Sequence, residues 1–184
     1  LDAMSTAQIA VLDTADVAAL SANQIKSLST ASIVALTTGQ AAALLYTQVA
    51  AMTTGQVAAL ETADLAKLAS AQIGALTAAQ IKSLTTAQIA ALSSTQVQSL
   101  KATQVSALAT DQIAKLGTAN TQALTSTQVK ALTTAQLDAL ATDQIAALDT
   151  VDIASLSATQ IKSLSTASIV ALTTSQAAAL LYTQ

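Results

Sequence analysis

The segment LTTAQIAALSSTQVQS, residues 84–99, contains two copies of an eight-residue unit that decides the fold. Leucine opens each unit, glutamine stands four residues later, and an aliphatic residue follows the glutamine. In both directions leucine recurs every eight residues, replaced by methionine only at Met4 and Met52, so the 184-residue chain contains 23 octads. A short repeat of this kind predicts a fold made of stacked units, each of which contacts its neighbours.

A longer repeat is superimposed on the octads. Residues 1–48 match residues 137–184 with nine differences in 48 positions, an offset of 136 residues or 17 octads. The octads fill residues 1–184 without a linker, which predicts a single continuous repeat array. Because the chain does not begin with methionine, we expect it to be a fragment of a longer protein.

One short helix per octad suits this spacing best. In a continuous α-helix eight residues turn through about 800°, so the leucine stripe would rotate by about 80° per octad and no single face could be buried. In a strand, Ile89 and Leu92 would point to opposite faces, whereas in a short helix they share one. Thr85 and Gln88 have the spacing of a capping box, which marks the start of a helix.

Helices this short are unstable alone and are expected to stack. We therefore predict an all-α solenoid, a superhelix of short helices with one helix per octad. A β-solenoid is the alternative, because Val, Ile and Thr also suit strands. The number of helices per coil does not follow from the spacing. The predicted core consists of the leucine row and the aliphatic row, represented by Leu84, Ile89, Leu92, Val97, Leu100, Val105 and Leu108.

The composition excludes several classes of function. Without His or Cys the chain has no imidazole base, no thiol nucleophile and none of the nitrogen or sulfur ligands that zinc prefers. Seven basic residues and a net charge of −3 do not make a nucleic-acid-binding surface. The longest apolar run, residues 41–46, is far shorter than the roughly 20 residues of a membrane span. We expect no enzymatic activity, no cofactor, no nucleic-acid partner and no membrane insertion.

Three octads carry two acidic side chains at the capping-box positions. The pairs are Asp13 and Asp16, Glu61 and Asp64, and Asp149 and Asp152. Carboxylates on a turn are ligands for calcium, but they also suit the positive N-terminus of a helix. Because each pair supplies only two carboxylates, capping is the favoured interpretation and no metal site is predicted.

The two tyrosines of the chain occur in one dipeptide, Leu-Tyr, that replaces the usual Ser/Thr corner. Its copies are Leu45-Tyr46 and Leu181-Tyr182. In both cases the aliphatic position just before the dipeptide is alanine, at Ala41 and Ala177. Either the leucine fills the space beside the alanine, or the dipeptide contacts a neighbouring chain, since tyrosine combines an apolar body with a polar tip. The four residues of the two dipeptides are the candidate inter-chain contacts.

The octads resemble a known class of repeat. LTTAQIAAL, LTTAQLDAL and LSATQIKSL, which begin at residues 84, 132 and 156, are similar to the octapeptide-repeat regions of very large bacterial secreted or surface proteins, among them adhesins and proteins of the haemagglutinin and RTX types. The resemblance implies an extracellular or cell-surface location. It also implies a structural role, as a fibre, stalk or surface layer that self-associates into a homo-oligomer or filament. The alternative is an adhesin module that binds a carbohydrate, ice or a host surface.

The predicted core can be tested at two neighbouring positions. Leu100→Asp places a charge in an apolar interior and should cost several kcal/mol of unfolding free energy. Lys101→Ala, at a corner, should change that free energy by less than about 0.5 kcal/mol. Denaturant unfolding followed by circular dichroism measures both. Equal losses would show that the leucine row does not form the interior.

Overall fold

The computed structural model describes residues 4–181, and there the chain forms one short α-helix per octad, with no strand among the described residues. The all-α prediction is confirmed, and the β-solenoid alternative is not supported. The helices are α1 Thr6–Ala10, α2 Thr14–Ala19, α3 Ala22–Ser27, α4 Thr30–Val34, α5 Thr38–Ala43, α6 Tyr46–Ala51, α7 Thr54–Ala59, α8 Thr62–Lys67, α9 Ser70–Ala75, α10 Ala78–Ser83, α11 Thr86–Ala90, α12 Ser94–Gln98, α13 Ala102–Val105, α14 Thr110–Ala114, α15 Gly117–Gln122, α16 Ser126–Ala131, α17 Thr134–Asp138, α18 Thr142–Ala147, α19 Thr150–Ser155, α20 Ala158–Lys162, α21 Thr166–Val170 and α22 Thr174–Ala179.

Many of the helices begin at a Ser/Thr–Gln pair, and α11 shows why. The Gln88 backbone N–H donates to Thr85 Oγ1 over 3.1 Å, and the Thr85 N–H donates to Gln88 Oε1 over 2.7 Å. The first turn of a helix has amides without partners inside the helix. The two side chains satisfy these amides reciprocally, so a helix of five residues can start at a defined position.

The corner between two helices consists of two extended residues. Leu84 has φ −60° and ψ 141°, and the following N-cap, Thr85, has φ −71° and ψ 158°. Ordinary L-residues adopt these angles without strain. Among the described residues the only positive φ is at Gly117, with φ 73°. The regular corner therefore requires neither glycine nor proline, which agrees with a chain of four glycines and no proline.

The helices stack with a period of three. The described chain forms two compact units, Leu1–Leu92 with α1 to α11 and Ser93–Gln184 with α12 to α22. Within each unit a helix contacts the third helix after it, from α1 with α4 to α8 with α11, and from α12 with α15 to α19 with α22. Three helices therefore make about one coil of a solenoid, a number that the octad spacing alone did not supply.

The aliphatic row and the leucine row form the interior of each unit. Of the predicted core residues, the four in the leucine row are each 4% exposed and the three in the aliphatic row are 0% exposed. Leu84 stands just before the N-cap of α11, and Ile89 lies in the first turns of that helix. Apolar side chains at these two positions pack against each other as a hydrophobic staple. The same two rows therefore orient each corner and provide the apolar area that holds short helices together.

Glutamine connects successive coils, in addition to capping its own helix. Gln56, in the first turn of α7, donates from Nε2 to the carbonyl oxygens of Ile25 and Leu28 at 2.8 and 2.7 Å. These carbonyls belong to the last turn and C-cap of α3, four helices earlier, and Ile25 O also accepts from the Leu28 N–H over 3.1 Å. One side chain thus satisfies the N-terminus of its own helix and the C-terminus of another.

The same pattern recurs throughout both units. Within the described chain, each of these glutamines donates to at least one carbonyl 28 to 31 residues earlier: Gln40, Gln48, Gln56, Gln72, Gln80, Gln88, Gln128, Gln136, Gln144, Gln160 and Gln176. A hydrogen bond of this type contributes about 1 kcal/mol net, and leaving the buried carbonyl unpaired costs more. The glutamine row is therefore a continuous source of stability between the coils of each unit.

The bonds between coils can be tested separately from the cap. Gln88→Glu keeps the side-chain oxygen that caps α11. It replaces the Nε2 donor, which lies 3.2 Å from Val57 O and 2.7 Å from Leu60 O, with a second oxygen. A buried charge without a partner should lower the unfolding free energy by about 3 kcal/mol or more at pH 7. Urea unfolding in the presence of EDTA measures the loss.

Gln24→Glu is the matched control. Gln24 forms the same capping box with Ser21, but its side chain is exposed. This substitution should change the unfolding free energy by no more than about 0.5 kcal/mol. Similar losses in the two variants would contradict a stabilising role for the bonds between coils.

Candidate functional site

The first Leu-Tyr dipeptide lies on the surface. Leu45 is the N-cap of α6 and is 49% exposed, and Tyr46 opens the helix and is 60% exposed. Ala41 is completely buried. Since half of the Leu45 side chain remains in water, the interpretation that Leu45 fills the interior beside Ala41 is not supported. The dipeptide instead presents adjacent apolar surface at a corner that would otherwise carry a hydroxyl.

The Leu45 corner keeps only half of a capping box. The Leu45 N–H donates to Gln48 Oε1 over 2.6 Å, but leucine has no oxygen that could accept from the first turn. The loss of a cap costs about 1 kcal/mol. In the second copy Leu181 is 54% exposed, and Tyr182 lies outside the described residues. The structure contains a single chain, so inter-chain contact at these residues remains a prediction.

The acidic pairs occupy the predicted capping-box positions, as the N-cap and the third residue of α2, α8 and α19. The N-cap residues Asp13, Glu61 and Asp149 accept no side-chain cap hydrogen bond. At Asp152 burial is the main cause that raises the pKa, and the charge of Asp149 raises it further. Two carboxylates on one turn repel each other, and an aspartate in the glutamine row has no amide to contribute.

Two of these aspartates are buried. Asp64 is 1% exposed and Asp152 is 3% exposed. Burial is the main cause that raises the pKa of Asp152, followed by an opposing hydrogen bond from Ser126. Ser126 Oγ donates to Asp152 Oδ1 over 2.6 Å. Asp64 Oδ2 is buried and has no hydrogen-bond partner, which is costly for a carboxylate oxygen.

An open pocket of about 510 Å³ lies at the Asp152 corner, on the surface of the second unit. Its wall includes Asp149 and Asp152 at the start of α19, and Gln122, Leu124 and Ser126 around the corner between α15 and α16. The Asp152 side chain is shorter than a glutamine by one methylene group and ends in a carboxylate.

The octad at α15 is polar where the others are apolar. Thr121 stands in the aliphatic row and is completely buried. Its hydroxyl donates to Gly117 O over 2.7 Å and accepts from Gln144 Nε2 over 3.1 Å. Leu116 has helical angles here, φ −59° and ψ −27°, instead of the extended angles of a regular corner. Gln144 Nε2 also donates to Ile113 O over 3.1 Å, so the Thr121 hydroxyl is a second acceptor at this corner.

Sequence reasoning missed this pocket and the unpaired aspartate oxygen. Two departures from the octad pattern could have indicated these features in the sequence. Aspartate replaces glutamine at positions 64 and 152, and threonine stands at position 121 in the aliphatic row. Among residues 4–181 no group of three or more His, Cys, Asp or Glu side chains could hold a metal ion. In the same residues no helix is both long and apolar enough to cross a membrane.

Comparison with known proteins identifies the repeat. The ALTTAQ repeat matches six stretches of the chain, residues 1–30, 9–46, 57–94, 86–118, 114–150 and 145–181. No curated protein and no solved structure matches it. The six stretches cover well over half of the sequence and confirm the tandem octapeptide repeat. The chain therefore belongs to the ALTTAQ repeat family.

Proposed function

We propose that this chain is a structural repeat segment that forms an extracellular fibre, stalk or surface layer by stacking its coils and self-associating. The observation that carries the proposal is the glutamine row. An octad of this row can donate to an earlier coil and offer carbonyls to a later one, as Gln56 does through Nε2 and as Leu60 O does toward Gln88. The stack can therefore be lengthened by adding octads, without a new type of contact.

The burial of these hydrogen bonds suits a segment that has to resist the separation of its coils. Gln56 and Gln88 are each 2% exposed, so separating two coils would leave polar groups unpaired before water could reach them. Apolar burial of the leucine and aliphatic rows opposes the same separation. Extension and stiffness follow from these contacts and require neither a catalytic group nor a cofactor.

Self-association is assigned to the Leu-Tyr corners. Leu45 and Tyr46 are adjacent and about half exposed or more, at a corner that gives up its hydroxyl cap. Tyrosine is enriched at protein interfaces because it buries a large ring at low conformational cost. The second copy of the dipeptide follows 136 residues later. The two copies would give a pair of contact points on each chain for lateral association.

The alternative function is an adhesin module for a carbohydrate, ice or a host surface. The Leu45-Tyr46 corner would also suit an adhesin, because Tyr46 is 60% exposed and offers both a ring face and a hydroxyl to a ligand. The two functions differ in the partner, which is a second copy of this chain in the first case and a glycan in the second.

The double substitution Tyr46→Thr and Tyr182→Thr tests the structural proposal. It restores a Ser/Thr-type side chain at both corners and removes the rings. We expect lateral association, measured by sedimentation velocity and electron microscopy, to weaken about tenfold or more, the consequence of losing about 1.4 kcal/mol of contact energy. The helical circular dichroism signal should be unchanged, since Tyr46 is exposed.

Thr62→Ala is the matched control, because Thr62 is the first residue of α8, as Tyr46 is of α6, and it is exposed. It should leave association unchanged. Loss of helical signal in the tyrosine variant would show that the rings support the fold instead. A monomeric chain that binds glycans through Tyr46 would favour the adhesin.

A further inference from the structure

Another type of contact joins stacked helices in the second unit, between a serine hydroxyl and a short side chain in the glutamine row. Ser94 Oγ donates to Asn120 Oδ1 over 3.0 Å, between α12 and α15. Ser126 Oγ donates to Asp152 Oδ1 over 2.6 Å, between α16 and α19. In both pairs the acceptor follows the serine by 26 residues. The two contacts therefore share one register, but the acceptor is a neutral amide in the first and an ionisable carboxyl in the second.

Asp152 is a buried carboxyl in a row of mostly neutral side chains. It is 3% exposed, and Gln136 and Gln144 in the same row are each 2% exposed. Among the described residues its only side-chain hydrogen bond is the one from Ser126. Burial is the main cause that raises the pKa of Asp152 above its ordinary value of 3.8. Because Asp152 also lines the open pocket at this corner, a proton can reach the carboxyl from solvent.

The charges around Asp152 do not favour its ionisation. Asp149, the exposed N-cap of the same helix, raises the pKa of Asp152 further. Of the two helices that contact α19, α22 carries no ionisable residue and α16 carries Lys130. Lys130 lies in the last turn of α16, whereas Ser126, which contacts Asp152, opens that helix. The helices α12 and α15, which contribute to the pocket wall, carry no ionisable residue either.

We propose that Asp152 makes the stacking of α19 on α16 sensitive to pH, so that the two helices pack more stably when its carboxyl is protonated than when it is ionised. The protonated carboxyl keeps an oxygen that accepts from Ser126 and gains an O–H donor. Ionisation places a charge at a buried position, whereas the unfolded chain exposes the same charge to water. The inference goes beyond the proposed fibre or surface layer, because it concerns one contact inside the second unit.

The direction of the effect follows from proton linkage. Because the folded chain holds the proton of Asp152 more tightly than the unfolded chain does, its contribution to folding is complete below the ordinary pKa. That contribution is lost as the pH rises through the raised pKa of the folded state. The hydrogen bond from Ser126 favours the ionised form and opposes the effect of burial, but the net direction is upward.

Titration of the side-chain carboxyl carbons by ¹³C nuclear magnetic resonance tests the proposal in the full chain. The Asp152 signal is assigned by its absence in Asp152→Asn, and we expect a pKa above 3.8. Ser126→Ala should raise this pKa further, because it removes a donor to the ionised form, and Asp149→Asn should lower it, because it removes a repelling charge. A pKa of Asp152 at or below its ordinary value overturns the proposal.

Thermal unfolding at several pH values, followed by circular dichroism, tests the effect on the fold. Asp152→Asn supplies the neutral side chain that Asn120 supplies in the equivalent contact. It should melt at a higher temperature than the original chain at about pH 7, and this advantage should shrink toward about pH 3, where an aspartate is largely protonated. If Asp152→Asn misfolds, Asp152→Ser replaces it, since serine is buried in the same row at Ser32 and Ser168. A difference in melting temperature that does not change with pH overturns the proposal.

Asp16→Asn is the matched control for the unfolding experiment. Asp16 is also the third residue of its helix and follows an aspartate at the N-cap, Asp13, but its side chain is exposed. This substitution should leave the pH dependence of the melting temperature nearly unchanged. An equal change in the pH dependence of Asp16→Asn and Asp152→Asn would contradict a role for the buried position.

Discussion

The hydrogen bond from glutamine Nε2 to the carbonyls of an earlier coil is the interaction on which the solenoid depends. Helices of four to six residues leave most of their backbone groups without partners inside the helix. The Ser/Thr hydroxyl and glutamine Oε1 satisfy the N-terminal amides, and glutamine Nε2 satisfies the C-terminal carbonyls of the helix four positions earlier. One residue type therefore compensates for the main weakness of very short helices at both ends.

Much of this architecture could be predicted from the octad. The spacing of Leu84 and Ile89, the capping box at Thr85 and Gln88, and the exclusion of a continuous helix all follow from local geometry. The period of three helices could not be predicted, because it depends on the torsion angles of two extended corner residues, such as Leu84 and Thr85. Without that period the partners of the glutamine amide, 28 to 31 residues away, could not be assigned either.

The departures from the octad carry more functional information than the consensus. Thr121 compensates for an irregular corner at Gly117 by accepting a hydrogen bond from Gln144. Ser126 Oγ donates to Asp152 Oδ1, whereas Asp64 Oδ2 has no hydrogen-bond partner among the described residues. The acids stand at the predicted capping-box positions, but the burial of Asp64 and Asp152 could not be predicted from a single octad, because it depends on the packing of other coils.

Hydrogen exchange of the glutamine side-chain amides, followed by nuclear magnetic resonance, tests the central role of this row most directly. The Nε2 protons of Gln56, which bond to an earlier coil, should exchange far more slowly than those of Gln24, whose side chain is exposed. Both residues form the same capping box through Oε1, so the comparison isolates the bonds between coils. Rapid exchange at both residues would contradict glutamine as the link between coils.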